Sequence, residues 1–338
     1  MRFLAISVLL MSIFFNSQVE ASNTLDTASS SDQENKQLVY IASDTRIPFW
    51  KIMGKGIQDT AIALGYSIEI GNANNDAKRE LELAVQAIRK NVSGIIISPT
   101  TSSASVTVLE LAKKADIPVV ISDIGADSGD YVSFICSDNK QGAYNLGKIL
   151  AKKMKLLDWG ESSVGIIAIP QKRRNGQDRT AGFMQAMNEK GIKLAGIAQQ
   201  VTFSYQETYD FSTHFINKNP ELRAIWLQGS NRYQAALDAI NDSGKQNEIL
   251  LISFDAEPIF LDLIPQGVLT GAAMQQPYLM GQKSVEIMNN HHSGEAVKRV
   301  YKIKILAISP ENIADNIDTI NRNVLGIEST ASDSDAKN

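Results

Sequence analysis

Residues 39–57, VYIASDTRIPFWKIMGKGI, decide the fold. The apolar run 39–42 has the length of a strand, a polar loop follows it, and Pro48-Phe49-Trp50 then opens a helix. Phe49, Met53, Ile57, Thr60 and Leu64 recur at intervals of three and four, which predicts a helix with one mostly apolar face. Pro48 suits its first turn, because the N–H that proline lacks has no intrahelical partner there. Ser43, Arg46 and the rings of Phe49 and Trp50 therefore stand at the mouth of a strand-to-helix turn. In open α/β sheets, ligands bind at that place.

Outward from this stretch the same alternation repeats. Apolar runs at 38–42, 67–71, 94–98, 117–121 and 131–136 predict strands. Between them, 77–90 carries Leu81, Ala84, Val85 and Ile88 on one helical face, and 103–114 carries Val106, Leu109 and Ala112. A second series of strands is expected at 164–168, 196–203, 223–228, 249–254 and 269–274, with helices at 177–190, 206–217 and 231–243. A helix at 277–291, an apolar run at 300–308 and an amphipathic segment at 309–323 come last. Repeated β-α-β units imply parallel sheets with helices on both faces. Two such series imply an α/β chain of two doubly wound lobes.

Residues 1–21 read as a secretory signal: basic Arg2, an apolar run to Phe15, and Val19-Glu20-Ala21 as a small-residue cleavage site. The run of about 13 apolar residues falls short of the roughly 20 that span a bilayer, so export with cleavage near Ala21 is expected. Residues 22–37 are polar throughout and are expected to be a disordered lead-in, as are residues 329–338 at the other end. The net charge of −4 is mild and the basic residues are scattered, which gives no footprint for nucleic acid. Cys136 is the single cysteine, so no intramolecular disulfide is possible; it lies in an apolar run and reads as a core residue.

No grouping of residues points to catalysis. GxxxxGK[ST], GxGxxG after the first strand and GxSxG are all absent. His291 and His292 adjoin a helix end and His214 stands alone in a helical pattern, so neither a metal nor any other cofactor is expected. The stronger signal is polar residues just after apolar strands: Asp123 after 117–122, Gln228 after 224–227, Asp255 after 250–254, and Gln275-Gln276 after 271–274. One such residue is an ordinary cap or turn former. Four in the same topological place, with rings on the first loop, form a site that holds a small polar molecule: carboxylates accept from hydroxyls, amides donate and accept, and a ring covers an apolar sugar face. Arg179, placed in the first turn of the helix after 164–169, opposes the helix dipole and suggests a ligand contact. Lys172, Arg173 and Arg174 read as a solvated basic loop.

From about residue 38 to 306 the chain resembles the periplasmic sugar-binding proteins of the ribose-binding type, which share the lactose-repressor-like fold. The markers are Pro48-Phe49-Trp50, Ser98-Pro99-Thr100, Ile117-Pro118-Val119, Ser137-Asp138-Asn139, Arg179 with Gly182-Phe183, Phe254-Asp255, and Gln275 with Pro277. The resemblance implies two lobes, 38–136 plus 276–305 and 137–275 plus 306–328, joined by crossings near 133–138, 275–277 and 302–305. It implies ligand contacts at Ser43, Phe49, Trp50, Asp123, Arg179, Gly229, Asp255 and Gln275, with Phe203 or Tyr205 as the aromatic of the second lobe; Tyr205, Arg46 and Gln228 complete the expected set. It further implies a monomeric periplasmic protein that passes a sugar-like ligand to a membrane ABC importer. The segment 305–312 with 321–327 is similar to the end of a periplasmic trimethylamine N-oxide sensor, so a membrane histidine kinase or chemoreceptor is the alternative partner. Ile47, Ile124 and Gly229 replace polar residues of ribose binders, and each unpaired buried hydroxyl costs about 1–3 kcal/mol, which argues against ribose itself.

Overall fold

The computed structural model describes residues 36–159 and 162–327; the expected signal peptide and C-terminal tail lie outside them, as does all of the lead-in but its last two residues. In chain order the elements begin β1 (Gln37–Ala42), α1 (Pro48–Ala63), β2 (Ser67–Asn72), α2 (Ala77–Arg89), β3 (Gly94–Ile97), α3 (Ala104–Lys114), β4 (Val119–Ser122) and β5 (Ser133–Ser137). They continue with α4 (Asn139–Leu156), β6 (Ser163–Ala168), α5 (Arg174–Asn188), β7 (Lys193–Gln199), α6 (Tyr205–Lys218) and β8 (Leu222–Leu227). Next come α7 (Tyr233–Asp242), β9 (Leu250–Phe254), α8 (Phe260–Leu263), β10 (Gly271–Met274), α9 (Pro277–His292), β11 (Val300–Ile303) and β12 (Leu306–Ile308). Short helical turns between Ala314 and Val324 finish the described chain.

Two six-stranded sheets result, ordered β11-β5-β4-β3-β1-β2 and β12-β10-β9-β8-β6-β7. The first is wholly parallel, and in the second only the β10–β12 pair is antiparallel. Central strands such as β3 and β4 are buried along their whole length, which is why GIII and VVIS read as continuous apolar runs. Helices α1 and α9 cover one face of the first sheet through Trp50, Met53, Ile57, Met280 and Val285, and α2 and α3 cover the other through Leu83, Ala84, Val108 and Leu109. The buried line of α1 is Trp50, Met53, Ile57 and Ala61, so the face is turned slightly from the Thr60–Leu64 line expected from spacing. Helices α4 and α5 cover one face of the second sheet, and α6, α7 and the terminal residues Ile313, Ile320 and Val324 cover the other.

The chain leaves the first sheet after β5 and enters α4 at 138–139. It returns from β10 to α9 through 275–276, and crosses again between β11 and β12 at 304–305. The single apolar run 300–308 is thus two strands in two different sheets. Three further boundaries differ from the sequence reading. The strand expected at 196–203 lies at β7, an edge strand with little burial and a register shift beside it, so apolar content does not mark its ends. Helix α5 starts at Arg174, because Arg173 keeps extended backbone at its N-cap, and this puts Arg179 in the second turn. Gln37, assigned to the lead-in, opens β1.

Candidate functional site

The site is assembled from the C-terminal ends of strands in both sheets. In the first lobe Ser43 and Asp44 follow β1, and Asp123 follows β4. In the second lobe Gln228 follows β8, Asp255 follows β9 and Gln275 follows β10. Asp123 and Asp255 both hold left-handed backbone, with φ of 70° and 66°. A short polar side chain tolerates that conformation better than most, and it turns each carboxyl off its strand end.

Contacts across the seam between lobes bring the two halves together. Asn175 Nδ2, at the start of α5, reaches Asp123 Oδ1 at 3.4 Å. Arg173 Nε donates to the Thr100 carbonyl at 3.2 Å and its Nη2 to Asn75 Oδ1 at 2.5 Å. The same guanidinium lies 5.6 Å from the centre of the Trp50 ring, within the range of a cation–π contact.

Arg179 organises the second-lobe half. Its Nε donates to Asn139 Oδ1 at 2.8 Å and its Nη1 to the Gln228 carbonyl at 2.7 Å. Nη1 also lies 3.8 Å from Asp255 Oδ2, and the guanidinium covers the Phe254 ring at 3.9 Å. Asp255 Oδ1 accepts from Gln275 Nε2 at 2.5 Å. Burial raises the Asp123 carboxyl to about 6, with Arg179 opposing the rise, and raises Asp255 against Arg179 and Gln275. Burial works against the Arg179 charge, and Asp255 and Asp123 support it.

A cavity of about 470 Å³ opens at the seam, lined by Arg46 and Asn75 of the first lobe and by Arg173, Phe203, Arg232 and Glu257 of the second, among others. That is within the size range of small-molecule pockets. Behind it a crack of about 30 Å³ runs between Phe49, Ile52, Asp255 and Gln275. Ser43 Oγ, Trp50 Nε1 and Gln275 Oε1 are buried without a hydrogen-bond partner. Such groups carry a desolvation penalty that a bound partner removes.

The family model described as a periplasmic binding protein domain matches residues 38–296. The chain belongs to that family. It is 26% identical over 284 residues to the ribose import binding protein of Salmonella typhimurium, covering 82% of this chain and 92% of that protein. It is 27% identical over 252 residues to the D-allose-binding periplasmic protein of Escherichia coli, covering 71% of this chain and 79% of that one. A carbohydrate transporter solute binding protein from Agrobacterium radiobacter, solved in complex with D-arabinose, shares the fold: TM-score 0.79 at 23% identity, covering 86% of this chain and 99% of that one.

In this periplasmic binding protein the strand-end residues Asp123, Asp255 and Gln275 come together at the seam with Arg179 of α5, and Ser43 is buried behind the first loop. Phe49 and Trp50 meet edge to face at 5.8 Å and 84°, and Trp50 is a core residue whose ring carries Arg173. Arg46 is exposed at the cavity mouth and paired with Asp44 at 2.7 Å. Tyr205 is not brought to the site: it is exposed on α6, stacks on Tyr209 and donates to Asp238 Oδ2. Phe203, two residues earlier, lines the cavity instead, in a left-handed conformation (φ 54°) that is strained for a bulky residue. The Gln228 amide faces inward, accepting from the Ile169 N–H and donating to Thr180 Oγ1, so it braces the β6–α5 loop. Arg173 corrects the reading of a solvated loop, because it is 5% exposed and spans the lobes. Its neighbours Lys172 and Arg174 are exposed, and nothing local in the sequence sets it apart from them. Asn139 and Asn175 were missed as well, since each acts through a partner distant in sequence. Cys136 is buried and its thiol is pushed up to about 11 by that burial. Among the described residues no group of three or more histidine, cysteine or acidic side chains could hold a metal, and no helix is long and apolar enough to cross a membrane.

Proposed function

We propose that this protein is exported to the periplasm, captures a sugar or similar polyhydroxylated molecule between its lobes as a monomer, and delivers it to a membrane ABC importer. The observation that carries the reading is the convergence of Asp123 and Asp255, one from each lobe, with Arg179, Asn175 and Gln275 at one seam. Carboxylates accept from ligand hydroxyls, while the guanidinium and amides donate to ring and hydroxyl oxygens. A ligand that touches both lobes adds contacts to the closed arrangement that the open one lacks, so binding favours closure. The relatives that carry ribose and allose in their names supply the ligand class.

The test is titration calorimetry of wild type, Asp123→Asn and Asp255→Asn against a panel of pentoses, hexoses and inositols, with circular dichroism to confirm folding. The expected result is micromolar or tighter binding of at least one panel member and a loss of at least tenfold in each variant. A ligand bound equally well by wild type and both variants would remove this pocket from the reading.

A further inference from the structure

The charges around the cavity at the seam are unevenly paired. Three arginines line it against two carboxylates, Asp44 and Glu257. Asp44 is taken by Arg46 at 2.7 Å, and Glu257 accepts from the Ser230 hydroxyl at 2.8 Å. Arg173 and Arg232 have no carboxylate within 4 Å among the described residues. Each is instead held by neutral acceptors. Arg173 uses Nε on the Thr100 carbonyl and Nη2 on the Asn75 amide. Arg232 uses Nε on the Phe203 carbonyl at 2.6 Å and Nη1 on the Asn231 carbonyl at 2.8 Å.

This bonding fixes both guanidinium planes and leaves Arg173 Nη1 and Arg232 Nη2 without a protein partner among the described residues. Arg173 is 5% exposed; Asp123, Asp44 and Glu80 support its charge from a distance, but none of them makes direct contact with it. Guanidinium groups that are held by neutral acceptors and keep a free N–H beside a cavity are an arrangement that recognises planar or tetrahedral oxyanions. A second sign of a built site is Phe203, whose carbonyl holds Arg232 and whose backbone is strained at φ 54°.

We propose that the ligand carries an anionic group, a carboxylate or a phosphate, seated at the cavity mouth between Arg173 and Arg232. This rests on the reading of the cleft as a sugar site and narrows its substrate class to acidic sugars. The hydroxyl-bearing part of such a ligand faces Asp123 and Asp255, and the acidic end points outward.

Calorimetry at low salt with matched sets tests the proposal: D-glucose, D-glucuronate and D-glucose 6-phosphate; D-ribose, D-ribonate and D-ribose 5-phosphate. At least one anionic member should bind tenfold or more tightly than its neutral parent, and added salt should erode that margin. The carboxylate and phosphate arms identify which oxyanion is read. Arg232→Gln, a half-buried position, should weaken the anionic member at least tenfold more than its parent; a melting curve confirms the fold. Neutral parents that bind as tightly as both anionic forms overturn the proposal and leave the sugar reading intact. Silence of every member, neutral and anionic, overturns the proposal, and the wider panel of neutral pentoses, hexoses and inositols then decides the sugar reading separately.

Discussion

Replacing Gly182 by alanine tests whether the packing of α5 on α4 sets the geometry of the site. A Cβ at Gly182 would lie 2.0 Å from the Lys140 carbonyl oxygen and 2.8 Å from its carbon. Ordinary contact begins near 3.4 Å, so the helices must part by more than 1 Å at this point. The obstacle is backbone, which has no rotamer to escape into. Gly147 on α4 faces the same interface, where a Cβ would lie 2.6 Å from that of Ala186, so both helices use glycine to approach. Overpacking of this kind costs about 1–3 kcal/mol, and the rigid obstacle places Gly182→Ala at the upper end. The better helix propensity of alanine returns about 1 kcal/mol, leaving a net loss of about 2 kcal/mol. At roughly 2–4 °C per kcal/mol, the melting temperature should fall by about 4–8 °C. The ligand should also be held less tightly. Arg179 lies one turn before Gly182, and Asn139, which holds its Nε at 2.8 Å, immediately precedes Lys140. A 1 Å separation breaks that bond, and a hydrogen bond to a charged group is worth about 1.5–3 kcal/mol, tenfold or more in affinity. Gly191→Ala is the control: its φ of 68° carries a left-handed penalty of about 1–2 kcal/mol, but a Cβ there meets nothing within 4 Å. It should lower the melting temperature and leave affinity unchanged. Calorimetric melts and ligand titrations of both variants decide the matter. A Gly182→Ala protein that melts with wild type and binds as tightly refutes the close-packing argument.

Two further outcomes concern charge. Asp123, Asp255 and Glu80 all have carboxyls raised mainly by burial, Asp123 to about 6 and Glu80 to about 7. A raised carboxyl stabilises the fold while protonated, so this contribution is complete below about pH 4 and is lost as pH rises through the folded values. The Asp123 shift alone corresponds to about 3 kcal/mol. The ligand-free melting temperature should therefore fall between pH 5 and pH 8, and Asp123→Asn should flatten that fall; an identical slope in the variant would disprove the assignment. Arg179→Met leaves Asp255 without its nearest cation, and breaking a buried pair costs about 3–5 kcal/mol. Because Asp255 relaxes by taking a proton, denaturant melts should show a larger loss at pH 8 than at pH 5. A loss independent of pH would mean that the pair contributes nothing.

The fold was legible wherever strands are buried on both faces. Runs such as GIII and VVIS admit few other readings once helices with a 3.6-residue period flank them. Edge strand β7 was displaced because its apolar residues, Leu194 and Ile197 among them, stay exposed and do not mark its ends, and 300–308 read as one strand because a crossing between sheets has no local mark. The site was legible to the extent that strand ends define it: Asp123, Asp255 and Gln275 are fixed by position alone. Long side chains were not. Arg173 and Arg174 are adjacent and chemically identical, yet one is buried across the seam and the other exposed. Choosing Tyr205 over Phe203 failed because that choice turns on a positive φ at a bulky residue, which no propensity foresees.

The crossings between lobes and the site draw on the same residues, and that bears on how closure could be sensed. Asn139 begins α4 directly after the first crossing and holds Arg179 Nε. Gln275 is itself a crossing residue and holds Asp255 Oδ1. Its neighbour Gln276 donates from Nε2 to the Lys304 carbonyl, which ties the second crossing to the third, and accepts from Asn323 Nδ2 of the terminal segment. Any rotation of one lobe on the other must therefore turn peptide groups whose side chains hold the Arg179–Asp255 pair. The dependence runs in both directions: a ligand that reorients Arg179 or Asp255 loads the crossings directly, without a separate relay. Val324 and Leu325 pack in the second-lobe core, whereas the backbone at Gly326 lies against Tyr278 and Ile52 of the first lobe. The terminal segment thus touches both lobes beside the crossing at Gln276, so a change in the angle between lobes must move that segment as well as the three crossings.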